Sequence, residues 1–574
     1  MDLSLSGLAS GFDWKTFVDQ VIATQRTPIT NLNNEKTANL NKKAALVDLN
    51  TKLTALQTSS TALAAASLFT SRKATSSTAN STWNPQASTG ATAGNYSIAV
   101  SQLATAARLD GASHVGNPLS PTNNVSALTM SSLPTAVAAT AGTFTVNGKT
   151  VTFALTDSLD QVFTAISTAT SGAVTAAYDT ATDKITLSSA SPILLGAAND
   201  TSNFLTVAKL VNNGTGTVTS SGTLGTVDQY ATLASARLST AITAVDGSGN
   251  GSFSVNGVSI AYNVNTDSLS AVLQRINAST AGVTASYDGT SDRVVLTNNT
   301  TGDIGVSVSE TAGGLLGAVG LTTGATLVRG KNALYSVNGG GTLTSPSNTL
   351  DATSHGITGL SVTVDSVSTQ AISVSGDTGA MTSAIQDFIT KYNDVQSYIE
   401  DQSKITTSVA GKVTTSVFSS DREVQSWADS LRTIAFGAVS GLSGTISRLE
   451  NLGIDFTTGT SQLSIKDSAK LNTALTTKAG DVAQYFQTAS TGLAAQLQTF
   501  LTKVTTQDTD QQDQLTATNT DLDAQIANLQ RRLDQQKEIL TNSFIAMETA
   551  QSKLQSQASA LNNAFPTTTS STKK

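Results

Sequence analysis

Two histidines, His114 and His355, and two aspartate pairs, Asp179 with Asp183 and Asp288 with Asp292, are the side chains whose types and spacing invite a chemical reading. The histidines lie far apart and the chain has no cysteine. A zinc site made only of protein ligands is therefore disfavoured, and there is no thiolate metal site, disulfide or thiol nucleophile. His114 falls in a Gly/Ser/Asn loop and His355 beside Gly356, so both read as solvated. The paired aspartates could begin a calcium loop, but an EF-hand loop needs more oxygen ligands at set spacing. Each pair follows a tyrosine and flanks a turn, where Asp is common because it bonds nearby backbone. Gly247-Ser248-Gly249-Asn250-Gly251 lacks the following lysine and helix of a phosphate cradle and reads as a loop. Neither G-x-x-x-x-G-K-[ST] nor H-E-x-x-H occurs, and no acid–base or nucleophile constellation appears, so an enzyme ranks last among the readings. Trp14 either anchors a partner or packs the first helix into the core. Trp83 reads as packing beneath a β-rich region, and Trp427 lies in a predicted helix.

The 574 residues are 13% charged and 5% aromatic, with a net charge of -7. That balance argues against a basic nucleic-acid footprint. The length predicts several domains. No basic leader with an apolar core opens the chain, and the longest nearly apolar run, Ala62 to Phe69, is far short of a membrane span. A soluble protein is expected, cytosolic or exported without a cleaved leader, and with no cofactor.

The chain is organised around a pair of long helices expected at its ends. From Gln507 to Phe565, Ile526, Leu533, Leu540, Met547, Leu554 and Leu561 recur every seven positions below Asn519. Leu515, Leu522 and Leu529 form a second seam, which weakens to Gln536, Ser543, Ala550 and Gln557. This is coiled-coil spacing. The expected partner is a run from about Thr30, with Leu32, Leu46 and Leu53 in one phase and Leu49, Leu56 and Leu63 in the other, interrupted by Glu35, Asn39, Lys42 and Ser60. The alternative is two unrelated core helices. Before it, Asp13 is expected to cap a short helix with Phe17, Val18, Val21 and Ile22 on its apolar face. Ile385, Phe388, Ile389, Tyr392, Val395 and Ile399 mark another helix, and further helices are predicted over 421–435 and 481–505.

Between the terminal helices lies a repeat. Gly142-Thr-Phe-Thr-Val-Asn147-Gly148 matches Gly251-Ser-Phe-Ser-Val-Asn256-Gly257 at an offset of 109, and Asp183-Lys-Ile-Thr-Leu187 matches Asp292-Arg-Val-Val-Leu296 at the same offset. Each unit reads as strand, Asn-Gly turn, strand, a short helix capped at Asp-Ser, then a hairpin turning at Tyr-Asp. Leu103 to Leu109 resembles Leu233 to Leu238, which points to the first unit being inserted within the second. The chain reads as multidomain α+β: long terminal coiled-coil helices forming a stalk, with β-rich head lobes inserted between them. The expected division is a helical stalk half over 1–70, the β-rich start of the head over 71–135, and lobes over 136–232 and 233–328. A β return segment over 329–380, a helical leg domain over 381–505, a coiled-coil helix over 506–565 and a flexible tail over 566–574 complete it.

Gly7-Leu8-Ala9-Ser10-Gly11-Phe12-Asp13 with Gln25-Arg-Thr-Pro-Ile29 resembles the opening of the flagellar hook-associated protein 2 family, the filament cap proteins. Asn95 to Ala104, Gly330 to Gly339, Ser347-Asn-Thr, Gly359-Leu-Ser-Val, Leu452-Gly-Ile454 and the terminal coil follow in the family's order. Phe12 departs from the family's usual aliphatic residue. The resemblance implies an extracellular protein of the bacterial flagellum, exported through it and placed at the filament tip. It implies a homo-oligomer that promotes folding and insertion of flagellin, with hook-associated junction proteins and an export chaperone as further partners. The leucine seams would be its assembly interface. Asn519, Gln536, Ser543 and Gln557 would keep the coil's packing adjustable. Alternatives are an adhesin acting through the head lobes, and a hook–filament junction or flagellin-like protein.

Overall fold

Capping chemistry starts the fold. In a computed structural model, which describes residues 10–409 and 411–564, the Asp13 carboxylate accepts the Thr16 N–H at 3.2 Å and opens the helix Trp14–Gln25. Arg26 closes it, and Pro28 sits in the first turn of the next helix, Thr27–Ala64, where its missing N–H costs nothing. The Asp13 helix buries Trp14, Val18 and Ile22, spaced by four, whereas Phe17 stays 44% exposed. The buried face is thus turned by one position from that expected, because Trp14 joins it.

The chain divides into two units, one made of residues up to 73 and from 375 onward, the other of residues 74–374. The first is helical. Helix Thr27–Ala64 buries Leu46, Leu49, Leu53, Leu56 and Leu63 against helix Thr378–Ser403 and the terminal helix Leu493–Ala564. Met381, Ile385, Phe388, Ile389, Tyr392, Val395 and Ile399 face inward from Thr378–Ser403 at helical spacing. Helix Arg422–Phe436, capped by Asp421, adds Val424, Trp427 and Leu431. The terminal helix has 72 residues, about 110 Å at 1.5 Å per residue.

The single helix expected over 481–505 is two. Ala479–Gln487 ends, and Leu493–Ala564 begins after a corner at which Ser490 takes φ 68°. A Cβ on Gly492 would lie 2.7 Å from the Phe486 carbonyl oxygen. The corner is held from outside: Gln487 Nε2 donates to the Ala65 carbonyl at 2.6 Å, and Phe69 stacks on Phe486 at 5.7 Å. These contacts with the end of helix Thr27–Ala64 override local helix propensity.

The second unit holds three cores. One lies under a five-stranded sheet whose strands run Arg72–Ser76, Thr369–Gly376, Gly94–Gln102, Ala333–Val337, Leu343–Ser345. Ile98, Val100, Tyr335, Ile372 and Val374 meet Trp83, Leu360 and Val362 there. Strands of the return segment, Ala333–Val337, Leu343–Ser345 and Thr369–Gly376, thus share a sheet with Gly94–Gln102. The other two cores belong to the repeats. In the first, strands Gly142–Val146 and Lys149–Phe153 turn at Asn147 (φ 48°) and Gly148 (φ 73°); in the second, Asn250–Val255 and Val258–Asn263 turn at Asn256 (φ 48°) and Gly257 (φ 81°). Positive φ at both turn residues is what Asn-Gly supplies. Helices Leu159–Ala169 and Leu269–Ala278 follow, capped by Ser158 and Ser268. Hairpins Val174–Asp179/Lys184–Ser189 and Val283–Asp288/Arg293–Thr301 complete the units.

The core of the second repeat also takes Ala107, Leu109 and Val115, because strand Ala106–Asp110 lies between Arg293–Thr301 and Thr326–Val328. The core of the first repeat runs from Leu119 to Leu224 and includes Val125 and Met130. The first lobe is inserted into the second, and it starts near 119 rather than at 136.

Candidate assembly interface

The interface is built where the terminal helix passes antiparallel along the two N-terminal helices. Lys36 Nζ meets Asp523 at 2.5 Å, Lys537 meets Asp19 at 2.8 Å, and Lys43 donates to Thr516 at 2.8 Å. Leu515 is partly buried, Leu522 and Leu533 are buried, and Leu32, Ile526 and Leu529 are half-buried. Leu540 and Phe544 pack against Trp14, Val18 and Ile22. Trp14 stacks on Phe544 at 5.9 Å with 6° between the rings, which assigns it to packing within the chain. Phe12 and Phe17 flank the same ring at 6.1 and 6.0 Å and remain 45% and 44% exposed. Ser10 donates to Glu548, and Gly11 takes φ 69°. Gly7, Leu8 and Ala9 lie outside the described residues, as does Phe565 with the tail after it.

The leucine seam changes character along the helix. Leu46, Leu49, Leu53 and Leu56 are 0% exposed, and helix Thr378–Ser403 covers them as well as the terminal helix. Met547 is 43% exposed, Leu554 64% and Leu561 63%, with Ile539 at 65% and Ile545 at 40%. Sequence spacing alone continues the seam through Met547, Leu554 and Leu561; within this chain these last three heptad positions are not buried.

The polar interruptions are mostly paired. Asn39 Nδ2 donates to Asn519 Oδ1 at 3.2 Å, Lys42 pairs with Asp421 at 2.8 Å, and buried Ser60 donates to the Ala494 carbonyl at 3.3 Å. Gln536, Ser543 and Gln557 are exposed and lie outside the seam; only Asn519 of the four polar positions is in it. Sequence spacing missed Asp508, which is 0% exposed. One of its oxygens accepts from Asn50 at 2.8 Å and Gln512 at 2.6 Å, and the other has no partner. Burial pushes its pKa up, against the lowering effect of these two bonds. Its place seven residues before Leu515 in the second seam was the available signal.

The aspartate pairs prove to be structural. Asp183 takes φ 50° and is 5% exposed; it accepts from the Tyr178 hydroxyl at 2.6 Å and from backbone N–H of Leu119, Leu224 and Gly225 at 2.7 to 2.9 Å. Asp292 takes φ 47° and is 1% exposed; it accepts from the Tyr287 hydroxyl and from Gly116 and Val227 N–H at 2.6 and 3.0 Å. Burial and the adjacent carboxylate push both tyrosines well above their ordinary range. Asp179 and Asp288 instead bond their own turns, and those bonds hold both carboxyls below the usual range. Among the described residues no group of three or more His, Asp or Glu is placed to hold a metal, and no helix is long and apolar enough to cross a membrane. His355 is half-buried rather than solvated: its Nδ1 accepts the Ile357 N–H at 3.0 Å, and burial lowers its pKa. His114 lies against the Thr223 hydroxyl. The glycine run is an Asp246 turn, with Ser248 and Asn250 N–H on Asp246 Oδ1 at 2.9 and 2.8 Å.

Comparison with known proteins adds the family. The family model described as "Flagellar hook-associated protein 2 N-terminus" matches residues 10–107, and "Flagellar hook-associated protein 2 C-terminus" matches residues 330–556. "Flagellin hook IN motif" matches residues 241–300, across the second repeat. The flagellar hook-associated protein 2 of Thermotoga maritima is 27% identical over 410 residues, 69% of this chain and 66% of that protein, so the match spans just under two thirds of that relative. Among solved structures, the D1-D2-D3 domains of the flagellar cap protein FliD from Escherichia coli give a TM-score of 0.44 at 18% identity, covering 80% of this chain and 95% of that one. FliD (HAP2) from Pseudomonas aeruginosa gives 0.27 at 16%, covering 57% and 98%.

Proposed function

This chain belongs to the flagellar hook-associated protein 2 family, and we propose that it caps the growing flagellar filament as a homo-oligomer that promotes folding and insertion of exported flagellin. The observation that carries the reading is the uncovered end of the seam. Met547, Leu554 and Leu561 keep the heptad spacing, yet stand 43 to 64% exposed on a helix whose earlier seam positions, Leu515 to Leu540, are half-buried or buried. A heptad stripe left open to water gains from a facing helix. The stripe is offered to a second copy or to the filament end beneath the cap. The work is mechanical: the apolar stripe and the exposed rings of Phe12 and Phe17 give a contact that can form and release without covalent chemistry. Hook-associated junction proteins and an export chaperone are further partners of this reading, and the filament tip is its location.

The test is complementation of a strain lacking the gene. Full-length protein restores swimming and stops monomeric flagellin from leaking into the medium. A chain carrying Met547→Gln, Leu554→Gln and Leu561→Gln keeps its internal packing and fails to do so. Full rescue by that triple variant refutes the assigned interface; normal filaments without the gene refute the cap.

A further inference from the structure

The first lobe is joined to the second by two chain crossings, residues 115–119 outward and 224–227 on return, with Val115 and Val227 in one lobe's core and Leu119 and Leu224 in the other's. Crossings this short between separately cored lobes ordinarily act as hinges. These do not have a hinge's chemistry. Asp292, from the second lobe, accepts N–H groups from both crossings at one end, Gly116 at 2.6 Å and Val227 at 3.0 Å. Asp183, from the first lobe, accepts N–H groups from both at the other end, Leu119 at 2.8 Å and Gly225 at 2.7 Å. The two carboxylates occupy equivalent places in the two repeats, 109 residues apart, and each is steadied by the tyrosine five residues before it.

Everything between the carboxylates is also fixed. A Cβ on Gly225 would lie 2.3 Å from the Asn117 carbonyl oxygen, so the crossings touch backbone to backbone. Arg237 donates to the Pro118 carbonyl at 2.6 Å, and its own carbonyl accepts the Asn117 N–H at 2.7 Å. Lys209 of the first lobe spans the junction, donating to the Thr223 carbonyl at 2.7 Å and the Thr290 carbonyl of the second lobe at 3.1 Å.

We propose that Asp183 and Asp292 form a duplicated carboxylate clamp that locks the two lobes into one rigid body at a fixed angle. A carboxylate accepting several N–H bonds in a buried place is a strong tie, since charge-assisted bonds are about twice as strong as neutral ones, and releasing it strands a buried charge. Both crossings must be freed together for the lobes to swing, because each carboxylate holds both: Asp292 accepts from Gly116 and Val227, and Asp183 from Leu119 and from Leu224 and Gly225. Asp183 and Asp292 are positioning residues. The clamp also sets the width of the cleft beside it, about 620 Å³, lined by Pro134, Gln229, Tyr230, Arg237 and Tyr287.

The chain's lack of cysteine makes the test direct. Spin labels go on Thr168→Cys and Gln274→Cys, exposed positions of helices Leu159–Ala169 and Leu269–Ala278, in full-length protein diluted into unlabelled chain. Pulsed electron–electron resonance then reads the interlobe distance. The expected result is one narrow distribution in the parent, at least doubled in width by Asp183→Asn with Asp292→Asn, since an amide can accept on one side only. Lys209→Met, which leaves both carboxylates in place, broadens it less and serves where the double variant does not fold. A broad or two-peaked distribution in the parent overturns the proposal. So does a parental width in the folded double variant, or, where that variant does not fold, a parental width in Lys209→Met.

Discussion

Asp508→Leu should stabilise the helical unit. The carboxylate is fully buried between the terminal helix and helix Thr27–Ala64, and one oxygen has no partner. A buried acceptor without a partner costs roughly 1–3 kcal/mol, which an apolar side chain of similar volume does not incur. Against that stand the bonds from Asn50 and Gln512, but both residues are only partly buried and can turn to water. A net gain of about 1–3 kcal/mol is expected, which for a unit of this size raises Tm by roughly 2–4 °C per kcal/mol. The pH dependence has a definite sign. Burial raises the folded pKa above the unfolded value, about 3.9 for Asp. This residue's contribution is therefore most favourable below the unfolded value and is lost as pH rises through the raised folded value. Thermal unfolding followed at 222 nm, at several pH values, reads both effects. The Tm difference between Asp508→Leu and the parent should grow from acid toward neutral pH and then level off. An unchanged or lower Tm at neutral pH, with helical content intact, would refute the reasoning.

Two further outcomes test the local arguments. Trp14→Ala removes the ring stacked on Phe544 from a cluster with only Val18 and Ile22 as its other buried members; a large-to-small change of this kind costs about 3–5 kcal/mol in a closed core. Hydrogen exchange should show helix Trp14–Gln25 losing protection while Thr378–Ser403 keeps it, and equal protection in both would count against that cluster as the helix's anchor. Gly257→Val places a β-branched residue at φ 81° in the second repeat's hairpin, at a cost of about 1–2 kcal/mol, whereas Gly257→Asn, a residue type that visits positive φ, should cost less. Chemical denaturation that ranks the two the other way would contradict the turn assignment.

Much of this molecule is local, and the local part is legible in the sequence. Asn147-Gly148 and Asn256-Gly257 make their hairpins because positive φ is a property of two adjacent residues. Ser158, Ser268, Asp13 and Asp421 cap helices because the bond runs only two or three residues along the chain. The face from Ile385 to Ile399 shows in 3.6-residue spacing, and the equal offsets of the repeats expose two lobes of one design. What tertiary structure alone decided is what each of these meets. Spacing could not tell that helix Thr378–Ser403 shares Leu46 to Leu56 with the terminal helix, that Met547, Leu554 and Leu561 leave the seam open, or that a corner at Ser490 breaks a helical run. Nor could it place Asp508 inside the helix pair, or aim Asp183 and Asp292, which look like turn residues, at N–H groups from about 40 to 180 residues away. Periodicity records that a face is apolar or that a carboxylate sits in a turn. Long-range pairing, settled by packing and by the need to satisfy every buried polar group, decides its partner.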